Sequence, residues 1–202
     1  MSSLAISITL VAALIPSVIL HEIAHGLTAY RFGDPTARNA GRLTLNPLRH
    51  LDPFGSIILP AILAFSSFGI FGYAKPVPVN PRLMRHPRNH SLLVSLAGPA
   101  ANIVIAVMAA GVTRLLTPES TPWFVAVYVG FVNSILAAFN LLPIPPLDGS
   151  AIVERLLPRP WWPAWLRLRR YSMGLLLIFL LAVPGVLSPV FEGAIGLWFE
   201  LL

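Results

Sequence analysis

Residues 4–30 read LAISITLVAALIPSVILHEIAHGLTAY, an apolar run holding one carboxylate, Glu22, and no lysine or arginine. Crossing a hydrocarbon core of roughly 30 Å takes about 20 helical residues, so this block is long enough to span. It has no basic stretch before it and no small-residue cleavage site after it, which predicts a retained helix and not a removable signal. Within it His21-Glu22-Ile23-Ala24-His25 forms H-E-x-x-H. Residues four apart share one face of a helix, so both imidazoles can reach one Zn²⁺ while Glu22 projects beside it. Ionisable side chains cost at least about 2.5 kcal/mol each in mid-membrane and are functional by default. A core histidine satisfied by a backbone partner explains one member of this trio and not all three.

The rest of the chain has the same character. Of 202 residues 56% are hydrophobic and 11% charged, against about 25% charged in soluble domains, and the mean hydropathy is +0.76. Further apolar blocks run over residues 53–73, 91–116, 122–142, 171–187 and 189–202. The expectation is an all-α, polytopic bundle of about five or six transmembrane helices forming one domain over residues 1–202. The net charge of +6 arises from basic residues flanking the apolar blocks, which fits membrane topology and not a nucleic-acid surface. Cysteine is absent, which excludes disulfides and cysteine-metal sites.

The second block is interrupted by Gly55, Pro60, Gly69 and Gly72. If it does not cross, residues 31–52, 74–90 and 143–170 share one side and hold thirteen of the fourteen basic residues, a strong positive-inside pattern. Crossing would instead divide them and put His21 and His25 across the bilayer from Asp148. Residues 53–73 are therefore expected to be re-entrant or partly inserted, buried in protein or facing a wet cavity. The N-terminus then lies outside, and the site faces the cytoplasm of a multi-pass cell-membrane protein.

A catalytic zinc takes three protein ligands and leaves one position for water. Asp148 is the candidate third ligand, the single carboxylate between Glu119 and Glu154. By itself it reads better as an Asp-Gly turn closing a proline-rich loop.

Taken together, His21 to His25 and the stretch Asn140-Leu141-Leu142-Pro143-Ile144-Pro145-Pro146-Leu147-Asp148-Gly149 resemble the two signatures of the site-2 protease family of intramembrane zinc metalloproteases, H-E-x-x-H and N-x-x-P-x-P-x-L-D-G. Residues 41–53, 74–82 and 97–102 look like its compact members, and the PDZ and CBS domains of many relatives are not seen. The resemblance implies one Zn²⁺ per chain on His21, His25 and Asp148, base catalysis by Glu22, and an oxyanion or substrate role for Asn140. It also implies cleavage of transmembrane helices of membrane-protein substrates within the lipid bilayer, with a homo-oligomer compatible. The competing readings are a non-catalytic scaffold and a metal-handling protein of the same fold, neither of which needs a base at Glu22.

Other features carry less. The small residues Ala97-Gly98-Pro99-Ala100-Ala101 predict close helix packing; Asn102 is either a partner for a metal-bound imidazole or interhelical glue. Residues 72–80, rich in proline, predict extended chain, with an edge that could pair with an unwound substrate or serve as a rigid connection. His50, His86 and His90 are expected to be solvated. Trp161, Trp162 and Trp165 with Arg167, Arg169 and Arg170 predict an interfacial anchor before the fifth span.

Overall fold

The computed structural model describes residues 2–58, 73–183 and 185–202. Among them there is no strand; the long elements are helices α1 (Ser3–Arg31), α2 (Pro87–Thr113), α3 (Thr121–Asn140), α4 (Ser150–Leu156), α5 (Trp162–Ala182) and α6 (Ser188–Leu201). Three of these, α1, α2 and α3, are long and apolar enough to cross a membrane. Helix α6, at 14 residues, is about 21 Å long, shorter than the hydrocarbon core.

The first three helices form the frame, each packing against the other two. Small residues permit this: Ala13, Ser17, Gly26 and Ala29 are buried on α1, Gly98, Ala106, Ala109 and Ala110 on α2, and Ala126, Gly130 and Ala137 on α3. Lipid tails are as apolar as leucine, so helices associate in a bilayer through close packing and interhelical hydrogen bonds. The large apolar side chains accordingly point outward, Leu4, Ile8 and Val11 on α1 and Val104, Val107 and Met108 on α2 among them. Ser2 and Ser120 cap α1 and α3, accepting from the backbone N–H groups of Ala5 and Trp123, as N-cap serines do.

The chain between α1 and α2 is held by buried polar groups. The Asp34 carboxylate accepts from the backbone N–H groups of Thr36 (3.0 Å) and Asn80 (2.6 Å), and the Arg42 guanidinium donates to the carbonyl of Lys75. The Lys75 N–H donates to the His50 carbonyl at 2.9 Å, and the Tyr73 N–H to that of Gly55 at 3.0 Å. The flanks of residues 53–73 therefore meet, as a re-entrant path requires; the re-entrant expectation itself falls largely on residues 59–72, outside the described ones.

One expectation is corrected. His50 is not solvated: it is 3% exposed, with Nε2 at 2.8 Å from the Thr44 carbonyl. The tryptophan and arginine cluster lies ahead of the apolar block 171–187 but in the same helix: Trp161 sits in the short turn before α5, and α5 starts at Trp162 and continues through Arg170 into that block. No glycine or proline separates residues 164–171, so nothing stops the helix where the apolar stretch begins.

Candidate metal centre

The last turns of α1 place His21 and His25 four residues apart, both buried and both turned toward α2. Their Nδ1 atoms are engaged there, His21 with Asn102 Oδ1 at 2.6 Å and His25 with the Val94 carbonyl at 2.7 Å. A carbonyl oxygen only accepts, so each Nδ1 carries a hydrogen, and in the neutral ring that leaves each Nε2 with its lone pair. The two Nε2 atoms lie 3.0 Å apart.

Asp148 arrives from the far end of α3. The Gly149 N–H donates to the Asn140 carbonyl at 2.7 Å, closing the loop onto the helix end. Only glycine fits at that closure, because a Cβ on residue 149 would sit 2.1 Å from the Leu141 carbonyl oxygen. This delivers Asp148 Oδ2 to 3.1 Å from His21 Nε2 and 3.3 Å from His25 Nε2. That oxygen is buried and accepts no hydrogen bond.

Three lone-pair donors thus converge within 4.8 Å of one another, an arrangement that repels itself unless a cation or a proton sits among them. Zinc bonds of 2.0 to 2.2 Å imply ligand atoms roughly 3.3 Å apart in a tetrahedral set, close to the three separations above. Gly98 adds a second sign of fit: a Cβ there would lie 2.5 Å from both Nε2 atoms. Its missing side chain makes room for the imidazoles, beyond the helix packing expected of it. The residues fit a divalent metal.

Glu22 is tied to the chain that follows residue 73. Its Oε2 accepts from the Val77 N–H at 2.7 Å, so the extended chain at 73–80 holds this carboxylate. Residues 75, 77 and 79 of an extended chain turn their backbone groups to one side; Lys75 and Val77 spend theirs inward, while Pro76 and Pro78 have no N–H to offer outward. This leaves the segment poorer in donors than a pairing edge, and favours the rigid-connection reading.

All four side chains open on a largely apolar cavity of about 2230 Å³, which Asn140 and, from α5, Leu166, Leu177 and Leu180 also line. Asn140 does not join the cluster: its Nδ2 donates to the Leu136 carbonyl at 3.0 Å. Two buried residues escaped the sequence reading, Asn133 and Ser17, which continue the contact behind Asn102. The available signal was a lone asparagine within an apolar span.

The sequence matches Peptidase family M50 over residues 9–119 and 116–183. It is 45% identical over 159 residues to a Bacillus subtilis protein named "Putative zinc metalloprotease YwhC", covering 74% of this chain and 69% of that one. It is 38% identical over 157 residues to a Mycolicibacterium smegmatis protein named "Putative zinc metalloprotease Rip2" (76% and 59% covered), and 34% identical over 197 residues to its Mycobacterium tuberculosis namesake (96% and 74% covered). No solved structure matches. A likeness running through both signatures and the helices between them cannot be a chance pentapeptide on a membrane span: the chain belongs to peptidase family M50, the site-2 proteases, and is a membrane zinc metalloprotease.

Proposed function

We propose that this chain, as one domain, cleaves transmembrane segments of membrane proteins by intramembrane proteolysis, with His21, His25 and Asp148 as the zinc ligands and Glu22 as the general base. The observation that carries the assignment is the convergence of three potential metal-ligand atoms from two remote segments, His21 and His25 on α1 and Asp148 after α3. The apolar cavity beside them has room for several turns of helix, which supports a transmembrane segment as substrate. The basic connections around the site support a cytoplasm-facing centre in the cell membrane.

Bound zinc supplies a Lewis acid that makes water a nucleophile near neutral pH and polarises a carbonyl. Glu22 takes a proton from the attacking water as its oxygen bonds to the scissile carbonyl carbon, then returns it to the amide nitrogen as the C–N bond breaks. The Val77 N–H fixes the carboxylate for that exchange, on the 2.7 Å contact to Oε2. Asn140 Nδ2 has two hydrogens and gives one to Leu136; the other serves the oxygen that gains charge. His25 and His21 keep their Nε2 lone pairs inward through the Nδ1 contacts.

The test is Glu22→Gln, assayed for cleavage of a transmembrane reporter in proteoliposomes and for bound zinc. Cleavage falls by roughly 10²- to 10⁴-fold, the span of general-base contributions, while one zinc per chain stays bound. Wild-type cleavage by the variant would overturn the role of Glu22, and zinc retained after His21→Ala would overturn the ligand set.

A further inference from the structure

Behind His21 runs a line of buried polar side chains crossing all three frame helices. Asn102 Nδ2 donates to Asn133 Oδ1 at 2.7 Å, and Asn133 Nδ2 donates to Ser17 Oγ and to the Val129 carbonyl, each at 2.8 Å. The Ser17 hydroxyl donates to the Ala13 carbonyl at 2.7 Å. Asn102 and Asn133 are 0% exposed and Ser17 is 3%, so bulk water does not reach these contacts.

We propose that Asn133, backed by Ser17, is a positioning residue for the metal centre: it dictates which end of the Asn102 amide faces His21, and hence which nitrogen of His21 is open to the metal. The inference rests on the reading of His21 as a ligand.

The direction of the line is set at its far end. The carbonyls of Ala13 and Val129 can only accept. The Ser17 hydrogen is thereby committed to Ala13, and the end of Asn133 beside Val129 must be its NH₂. Asn133 then offers Oδ1 to Asn102, which must answer with Nδ2 and turn its own Oδ1 to His21. His21 in turn carries its hydrogen on Nδ1 and presents a bare Nε2. Without Asn133, the Asn102 amide could rotate by half a turn and donate to Nδ1. The hydrogen of His21 would then sit on Nε2, where it blocks ligation. His25 needs no such device, because its Nδ1 faces a backbone carbonyl that has no second orientation.

The experiment measures zinc affinity by chelator competition on the purified full-length protein, together with the visible spectrum of the cobalt-substituted form. Asn133→Leu, similar in size but unable to hydrogen-bond, should weaken zinc about tenfold or more, within the 10- to 100-fold span of groups that orient metal ligands, and alter the cobalt spectrum. Asn133→Asp restores affinity, since a neutral carboxyl accepts from Asn102 and donates to Val129. In an Asn102→Ala background Asn133→Leu costs nothing further. Val132→Ala, a buried neighbour on the same helix, lowers thermal stability and leaves zinc affinity unchanged. Should Asn133→Leu not fold, Asn133→Ser, too short to reach Asn102, decides the same question.

Zinc affinity within twofold of wild type in Asn133→Leu, equal losses in the Leu and Asp variants, or full additivity with Asn102→Ala would each overturn the relay. His21→Ala separates the two readings: if it binds zinc as tightly as wild type, the ligand assignment fails, whereas its loss of zinc beside an indifferent Asn133→Leu sinks the relay alone.

Discussion

Helices α1, α2 and α3 meet through alanine, glycine and buried hydrogen bonds, whereas α5 buries only Ser172 and Leu176 among the residues of its length. Its polar ties are gathered at its first turns, where Glu154 accepts from Trp165 Nε1 (3.3 Å) and pairs with Arg169 (2.9 Å) and the Arg88 guanidinium lies over the Trp162 ring. The rest of α5 contributes cavity wall. The contrast separates two demands. Metal ligands tolerate little displacement and sit on the part held by interhelical contacts in every direction. A cavity for an apolar substrate needs surface and volume, which a loosely packed helix provides.

The sharpest way to break this comparison is Gly98→Ala. A methyl group 2.5 Å from both Nε2 atoms occupies the place where the ligand lone pairs meet, and only imidazole displacement can relieve it. If the frame is rigid, zinc affinity falls by at least about 100-fold, roughly 2.8 kcal/mol, measurable by chelator competition, while the helices stay folded. Retained affinity would mean that α1 and α2 can separate by an ångström or more, and the frame would be no stiffer than the wall.

Gly130→Ala probes the frame away from the metal. Its Cβ would meet the Trp198 ring of α6 at 2.0 Å, and Trp198 is 1% exposed, so the indole has nowhere to retreat. Overpacking of this kind costs about 1 to 3 kcal/mol. The expected result is a lower melting temperature with zinc affinity unchanged, since Gly130 contacts none of the ligands. A parallel loss of zinc would show that α3 transmits strain to the centre through Asn133, one helical turn away.

How much of this was legible in the sequence depends on the range of each signal. His21, Glu22 and His25 lie within one turn, so their spacing alone assigns them to a helix face. Asp148 is remote, and its partnership with them emerged from the charge pattern and the family likeness; local chemistry favoured an ordinary turn. The tie between Val77 and Glu22 left no sequence trace because a backbone N–H has no residue type. Asn133 was visible as a polar residue in an apolar block, but its partners come from three helices, and only their packing reveals that it stands behind a ligand. The apolar block at 171–187 begins later than α5 because hydropathy marks where a helix enters lipid, which differs from where it begins.

The smallest expected effect concerns the wall. Arg169→Ala removes the ion pair with Glu154, whose arginine side chain is 57% exposed and whose glutamate is 23% exposed. Water screens such a pair, and contributions of about 0 to 1 kcal/mol are usual. For a chain of this size that is at most about 4 °C in melting temperature. Zinc affinity should not move, because neither residue lies on the frame or touches a ligand. Cleavage is the informative quantity, since α5 lines the cavity from Leu166 to Leu181 and this pair fixes the end from which the wall extends. A raised KM with unchanged zinc affinity would assign the wall to substrate accommodation alone. A fall in zinc affinity comparable to that expected for Gly98→Ala would erase the distinction between frame and wall, because a solvent-exposed ion pair on a loosely packed helix would then be governing the geometry of ligands buried two helices away.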